Sequence, residues 1–312
     1  MRTLSYTLQR LILIALTAFI VSSAVFIGVH QLPGNAFLTE HQPNPQAERL
    51  LLEHFHLNLP WPQQYVIWVG GVFHGNLGES LAQPGVLITP LLLGEARTSL
   101  TLGLFALLFT IVFGISLGTI AALKQNTWID YLASGTAILG YSVPSFITAA
   151  LIVLLTVKGF YTWSGGSFYE NLGWGKPEQV AAPAIALGFL PMGLVARLTR
   201  ASVLDVVRQD FVRTAWAKGL GPRIVITRHV MRNAMIPVIT ILGPVATSVV
   251  TGSIVIEFIF GIPGLGKEFI DSILSRDYNV TIGVFTFYAM IVGLVNLGVD
   301  LIYPMLDPRI KI

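Results

Sequence analysis

The sequence predicts an all-α polytopic membrane protein with six transmembrane helices and both termini on the cytoplasmic side. Three observations carry that prediction. The chain is 54% apolar and only 11% charged, with a mean hydropathy of +0.71, a composition unlike that of a soluble globular domain. Apolar runs long enough to cross a bilayer at about 1.5 Å per residue recur between polar segments. Thirteen of nineteen Lys and Arg fall in the segments that a six-span arrangement places inside, and eleven of sixteen acids fall in those it places outside, the asymmetry that orients membrane proteins. The 312 residues include no cysteine, so neither a disulfide nor a thiolate metal site is available. The net charge of +3 is small. Its basic residues sit beside spans without interleaved aromatics, which argues against a nucleic-acid partner.

Three regions follow from this reading: residues 1–30 with the first span, an extracytoplasmic segment over 31–95, and a core of five further spans over 96–312. Arg2 and Arg10 precede an apolar run over 11–29, which is too long for the hydrophobic part of a cleaved leader and reads as a retained span. The segment 31–95 opens on Pro33-Gly34-Asn35 and holds Pro43, Pro45, Pro60 and Pro62. Within it, Tyr65, Trp68 and Phe73 suit a short helix lying at the interface, where aromatics gather. His54 and His56 invite a metal reading, but side chains two apart do not share a helix face and no Cys joins them, so they read as surface residues.

The second span, about 96–123, is rich in small residues (Gly103, Ala106, Gly114, Ser116, Gly118) that permit close helix contact. A short inner loop over 124–129 leads to the third, about 130–157. That span is interrupted at Gly140-Tyr141-Ser142-Val143-Pro144-Ser145, and backbone freed inside a bilayer must either pack as a kink or line a passage. Tyr141, Ser142 and Ser145 favour the passage. After an outer loop over 158–179, the fourth span, about 180–196, contains Pro183, Gly188, Pro191 and Gly193 and is predicted to be bent. The fifth, about 234–256, carries Ser248 and Thr251 three residues apart on one face. The last, about 281–306, carries Asn296 and Asp300 on one face, with Asp300 near enough to the inner end to serve as an anchoring ion pair.

Residues 257–279 hold a decoy. Gly261-Ile262-Pro263-Gly264-Leu265-Gly266-Lys267 fits G-x-x-x-x-G-K, but Glu268 stands where a phosphate-binding loop needs Ser or Thr for magnesium. A structural outer turn is the better account.

The long polar interruption between the fourth and fifth spans is the most distinctive stretch. From Arg197 to Arg232 it holds eight Lys or Arg against Asp205 and Asp210, a charge density that belongs at the cytoplasmic face. Val207, Phe211 and Ala215 repeat four apart and predict an apolar stripe on a short helix. Gly219 supplies a left-handed stop, and Gly221-Pro222 turns the chain into a second helix with Pro at its first position. A compact helix, glycine, helix unit on an inner face suits docking into a partner's groove.

Here the sequence resembles a known family. Arg213-Thr214-Ala215-Trp216-Ala217-Lys218-Gly219-Leu220, followed by Arg228-His229 and Arg232-Asn233-Ala234, is similar to the EAA loop of ABC importer permeases, in the form found in the dipeptide, oligopeptide and nickel permeases. Leu59-Pro60-Trp61-Pro62-Gln63-Gln64-Tyr65 and Gly75-Asn76-Leu77-Gly78-Glu79-Ser80 resemble that family's outer region. Glu257 with Pro263-Gly264-Leu265-Gly266, Arg276-Asp277-Tyr278 and the closing Asp300, Pro304 and Asp307-Pro308-Arg309 resemble its other motifs. The resemblance covers nearly the whole chain, and the order of the motifs is more specific than any one of them.

It implies a type I importer permease fold of six spans in the cytoplasmic membrane, in which the first helix of the loop inserts into a cleft of a cytoplasmic ATPase. It implies a second homologous permease, two ATP-binding subunits that use ATP and Mg2+, an extracytoplasmic solute-binding protein and a peptide substrate, with no cofactor or metal held by this chain and no catalysis in it. Coupling to the ATPase then falls to Asp210, Phe211, Arg213, Thr214, Ala215, Lys218 and Gly219 within a region of about 205–232. The translocation pathway falls to Tyr141, Ser142, Ser145, Ser248 and Thr251. The rival reading, a secondary transporter driven by an ion gradient, needs intramembrane ionisable residues and usually an internal repeat. Only Asp300 qualifies, and the halves show no repeat. A membrane hydrolase would need H-E-x-x-H, which is missing, or a G-x-S-x-G nucleophile elbow at a strand-to-helix turn; Gly114-Ile115-Ser116-Leu117-Gly118 fits those letters but lies inside the apolar second span.

Overall fold

A computed structural model of the chain describes residues 2–31, 45–155, 172–251 and 253–306. The Pro33-Gly34-Asn35 turn, most of the loop 158–179, Gly252 and the Asp307-Pro308-Arg309 end lie outside the described residues, which form helices joined by short connections. These are α1 (Arg2–His30), α2 (Pro45–His54), α3 (Trp61–Phe73), α4 (Ile88–Leu123), α5 (Trp128–Ser142), α6 (Ser145–Leu154), α7 (Glu178–Val207), α8 (Asp210–Ala217) and α9 (Pro222–Ile224). A π-helical stretch, Val225–Met231, then leads into α10 (Arg232–Thr251), followed by α11 (Ile254–Phe260), α12 (Leu265–Leu274) and α13 (Tyr278–Leu306). Among the described residues five stretches are long and apolar enough to cross a membrane, and α5 with α6, taken as one broken span, makes six.

The described residues divide into two compact units, 1–99 with 263–294 and 100–262 with 295–312. In the first, the end of α1 packs on α3: Phe26 stacks on His30 and meets Tyr65 edge-on. Ser23 and Tyr65 share a hydrogen bond of 2.6 Å. The short helix expected around Tyr65, Trp68 and Phe73 is α3, opened by Pro60-Trp61-Pro62 with Pro in its first turn. A second cluster joins Leu77, Ile88, Leu92, Ala96, Leu265, Val280 and Val284.

Buried Asp277 organises the loop before α4, accepting hydrogen bonds from the Ser80 hydroxyl and the N–H groups of Ala82 and Val280. The P-loop look-alike is a turn: Gly261 caps α11 at φ +66, and buried Leu265 starts α12 with its N–H on Ser99 Oγ at 3.0 Å. His54 Nε2 lies 3.2 Å from the Glu79 carboxylate. That hydrogen bond holds Glu79 below the usual carboxylate range.

In the second unit, α5, α6, α10 and α11 pack against α7. Lipid offers no hydrophobic drive between helices, so contact depends on small residues that let backbones approach. The small face of α4 does this: a Cβ on Gly118 would lie 2.4 Å from Ala196 O, and one on Gly114 2.8 Å from Val195 Cγ1. Thr110 adds a buried hydrogen bond to Gly188 O. Where α7 crosses α5 the approach is closer still, since a Cβ on Gly193 would meet Ala137 O at 2.3 Å and Tyr141 N at 2.6 Å.

Two expectations change. The fourth span was placed over 180–196, but α7 is one continuous helix to Val207 with Pro183 and Pro191 inside it; an unbroken succession of buried residues, Val195, Ala196, Thr199, Ser202 and Val203, carries it on past Arg197 and Arg200. The stripe of Val207, Phe211 and Ala215 does not exist. Gln209 is extended at ψ 149 and breaks the helix, so Val207 belongs to α7 and α8 starts a new phase, burying Val212 with Ala215 and leaving Phe211 43% exposed.

Candidate functional site

Two places gather the residues that the sequence singles out. The first is α8 and its supports. Val212 and Ala215 pack into a cluster with Ala122, Val203, Val225, Val230 and Ala234, so the short helix is gripped by the end of α7 on one side and the π-helical stretch on the other. Its outer face shows Phe211, Arg213, Thr214 and Trp216. Asp210 and Arg213 form a solvent-exposed ion pair at 3.7 Å, which is worth little by itself. The Thr214 hydroxyl donates to Asp210 O.

Lys218 ends the helix, and Gly219 follows at φ +76, the left-handed stop that lets the chain reverse without steric cost. Gly221 then precedes Pro222 at the start of α9. The π-helical stretch carries the chain without a break into α10. Trp216, 46% exposed on the outer face, was not singled out, although its place in the quoted motif was a signal.

The second place is the joint between α5 and α6. Val143 is extended and Pro144 lacks an N–H, so the helix ends at Ser142 and restarts at Ser145. The two halves are bent by 107°, far more than a packing kink. The joint brings Tyr141, Ser142 and Ser145 together, with Tyr141 and Ser142 exposed. The Arg197 guanidinium lies over the Tyr141 ring, 4.7 Å from its centroid, a favourable stacking of charge on an aromatic face.

Ser248 sits on α10 and turns its hydroxyl back to Val245 O. Thr251 ends α10, and its side chain is outside the described residues. Asn296 on α13 accepts a hydrogen bond of 2.6 Å from Thr247 on α10.

Between these two places lies a feature that the sequence did not disclose. Asp130, in the first turn of α5 and only 3% exposed, receives Arg200 Nε and Nη2 on its two oxygens, each at 2.8 Å. Asn126 N–H and the Ser134 hydroxyl complete its shell, both at 3.0 Å. Such a fork is the strong form of a charged hydrogen bond.

A six-span helical subunit with a sharply broken span, and a short helix gripped outside its long ones, is the architecture of a transport permease. Residues 114–312 match the family described as binding-protein-dependent transport system inner membrane component, and the chain belongs to that family. It is 37% identical over 307 residues, covering 98% of both chains, to the dipeptide transport system permease protein DppB of Bacillus subtilis. It is 34% identical to the oligopeptide transport system permease protein OppB of Escherichia coli K12, covering 99% of both. Among solved structures, a chain of the MetNI methionine ABC transporter in inward-facing form shares the fold at TM-score 0.57 and 16% identity, over 70% of this chain and 96% of that one. A chain of an amino acid ABC transporter does so at TM-score 0.54 and 17% identity, over 70% and 94%. The chain is therefore a multi-pass inner-membrane permease of binding-protein-dependent transport.

Proposed function

We propose that this chain is one of two homologous permease subunits of an ATP-driven importer and forms half of the path for di- and oligopeptides handed over by an extracytoplasmic binding protein. Both termini lie in the cytoplasm. The observation that carries the reading is α8: a helix of two turns, packed by Val212 and Ala215 and stopped by Gly219, with Phe211, Arg213, Thr214, Trp216 and Lys218 displayed outward. In this reading it docks in a groove of an ATPase subunit, with Asp210 and Arg213 at its leading turn.

ATP and Mg2+ belong to that partner, since Glu268 takes the place of the hydroxyl that a nucleotide loop requires. This chain therefore moves substrate and does not transform it. Tyr141, Ser142 and Ser145 at the joint, with Ser248 and Thr251 on α10, line the path. Nucleotide shifts the permease between its inward-open and outward-open states only by the difference in its affinity for the two. The names of the relatives support peptide as the cargo.

The test is uptake of a radiolabelled dipeptide into proteoliposomes holding this chain, its partner permease and the binding protein, with and without the two ATPases. Uptake that requires both ATPases and ATP is expected. Uptake without them, abolished by collapsing the proton gradient, overturns the reading and makes Asp300 the residue to mutate.

A further inference from the structure

We propose that the Asp130–Arg200 fork is the mechanical link between α8 and the broken helix, and that both residues position the path rather than touch what travels along it. The inference rests on the reading of α8 as the docking helix.

The geometry runs in one line. Motion of α8 is delivered to α7, because Val212 and Ala215 share a cluster with Val203 and only Arg208 and Gln209 separate the two helices. Arg200 lies on α7 one residue from Ala201 and two turns before Val207, and its guanidinium holds both oxygens of Asp130. Asp130 opens α5, whose other end is the joint at Val143-Pro144. Further along the same pair of helices, the glycine crossing at Gly193 and Gly140 brings backbone against backbone.

A glycine crossing resists separation but presents a smooth face to sliding and rotation. The fork does what the crossing cannot: a bidentate guanidinium–carboxylate pair fixes direction as well as distance. Asn126 N–H and the Ser134 hydroxyl hold the carboxylate from its own side, so Asp130 cannot turn to follow Arg200 independently of α5. A displacement of the α7 end is thus imposed on the first turn of α5, and a rigid helix of fifteen residues transmits it to the joint.

The test uses the whole transporter. The chain has no cysteine, so a spin label at Gln209→Cys reports the α8 end and one at Leu139→Cys, on an exposed face of α5, reports the broken helix; cysteines of the partner subunits are replaced beforehand. Spectra are recorded with and without Mg-ATP, and alanylalanine uptake is measured per ATP hydrolysed. With the native fork, both labels are expected to respond to ATP. In Asp130→Asn the Gln209 label still responds, the Leu139 label does not, and uptake per ATP falls on the order of tenfold, the size of an ordinary coupling between sites. Arg200→Lys keeps the charge but loses the fork, so it shifts both readouts in the same direction by less, and it decides the matter should Asp130→Asn fail to assemble.

A Leu139 label that responds normally in both variants, with unchanged uptake per ATP, overturns the inference. So does a Leu139 label that is silent to ATP with the native fork while the Gln209 label responds. A silent Gln209 label in that protein instead overturns the docking of α8, and the link falls with it.

Discussion

Gly193→Ala tests whether the crossing of α5 and α7 is as tight as its geometry implies. The added Cβ would stand 2.3 Å from Ala137 O, 2.6 Å from Tyr141 N and 3.1 Å from Gly140 C, where ordinary contact begins near 3.4 Å. All three neighbours are backbone atoms that no rotamer change can remove. The helices must therefore part by about 1 Å, the largest of these deficits. Overpacking of this kind costs about 1–3 kcal/mol, and the better helix propensity of alanine offsets at most about 1 kcal/mol of it. A net loss of about 1–2 kcal/mol is expected, read as a lower melting temperature of the purified transporter and reduced uptake, because the displaced α5 carries the joint.

Gly135→Ala on α5, the other helix of the crossing, is the built-in control, since a Cβ there meets nothing within 4 Å and is expected to be neutral or mildly stabilising. A Gly193→Ala protein that melts and transports like wild type would refute the close-crossing argument.

Other expectations follow from single observations. At Gly219 an added Cβ meets no neighbour within 4 Å, but Gly219→Val places a β-branched residue at φ +76, so it strains the turn by roughly 1–2 kcal/mol; uptake per ATP is expected to fall while the amount inserted in the membrane stays level, and Gly219→Asn, which tolerates that conformation, is expected to be milder. Asp277→Asn keeps one accepting oxygen and sets its amide N–H2 either against the Val280 N–H or against the Ser80 hydroxyl and Ala82 N–H, at a cost of about 1–3 kcal/mol, visible as faster hydrogen exchange over 78–88. Glu268 has its carboxyl raised above the ordinary value first of all by burial. Between the ordinary and the raised value the folded state binds more protons than the unfolded, so stability falls as pH rises from about 4.5 upward. Glu268→Gln is expected to remove that slope in melting curves taken from pH 5 to pH 8, and an unchanged slope would assign it to another group.

What the sequence disclosed and what it hid divide along a physical line. Spans were legible because each is a local apolar run. The break before Ser145 was legible because Pro144 has no N–H to continue a helix, and the stop at Gly219 because a left-handed residue favours glycine. The close face of α4 showed in its own small side chains. In contrast, the phase of α8 depended on whether Gln209 continued the helix, and the i, i+4 pattern from Val207 to Ala215 could not reveal that it did not. The run of α7 past Arg197 and Arg200 was hidden because a cluster of Arg reads as solvent until its partners are known. Those partners were Asp130 and the Tyr141 ring, the first of them 70 residues away, and a pairing over that separation leaves no local trace.

The distribution of stiff and soft points says why these hidden contacts matter for transport. From Glu178 to Val207 the chain is one helix, and from Pro222 to Val250 it is one continuous helical rod through its π-helical stretch. Soft points lie at Arg208–Gln209 and at Lys218–Gly221, on either side of α8, and at Val143–Pro144 in the broken span. Because α8 is flanked by these two turns and by two long helices, a load on it either tilts those helices or is lost at its own flanking turns. Burial of Val212 and Ala215 closes off the second route by fastening α8 to both rods. Between α5 and α6 the chain is free at the joint, and whichever contact fixes α5 to α7 decides whether that joint moves with the rods or apart from them. The glycine crossing sets how near the helices lie; the Asp130–Arg200 fork sets their register, which is why its loss is expected to uncouple the joint without unseating the helix.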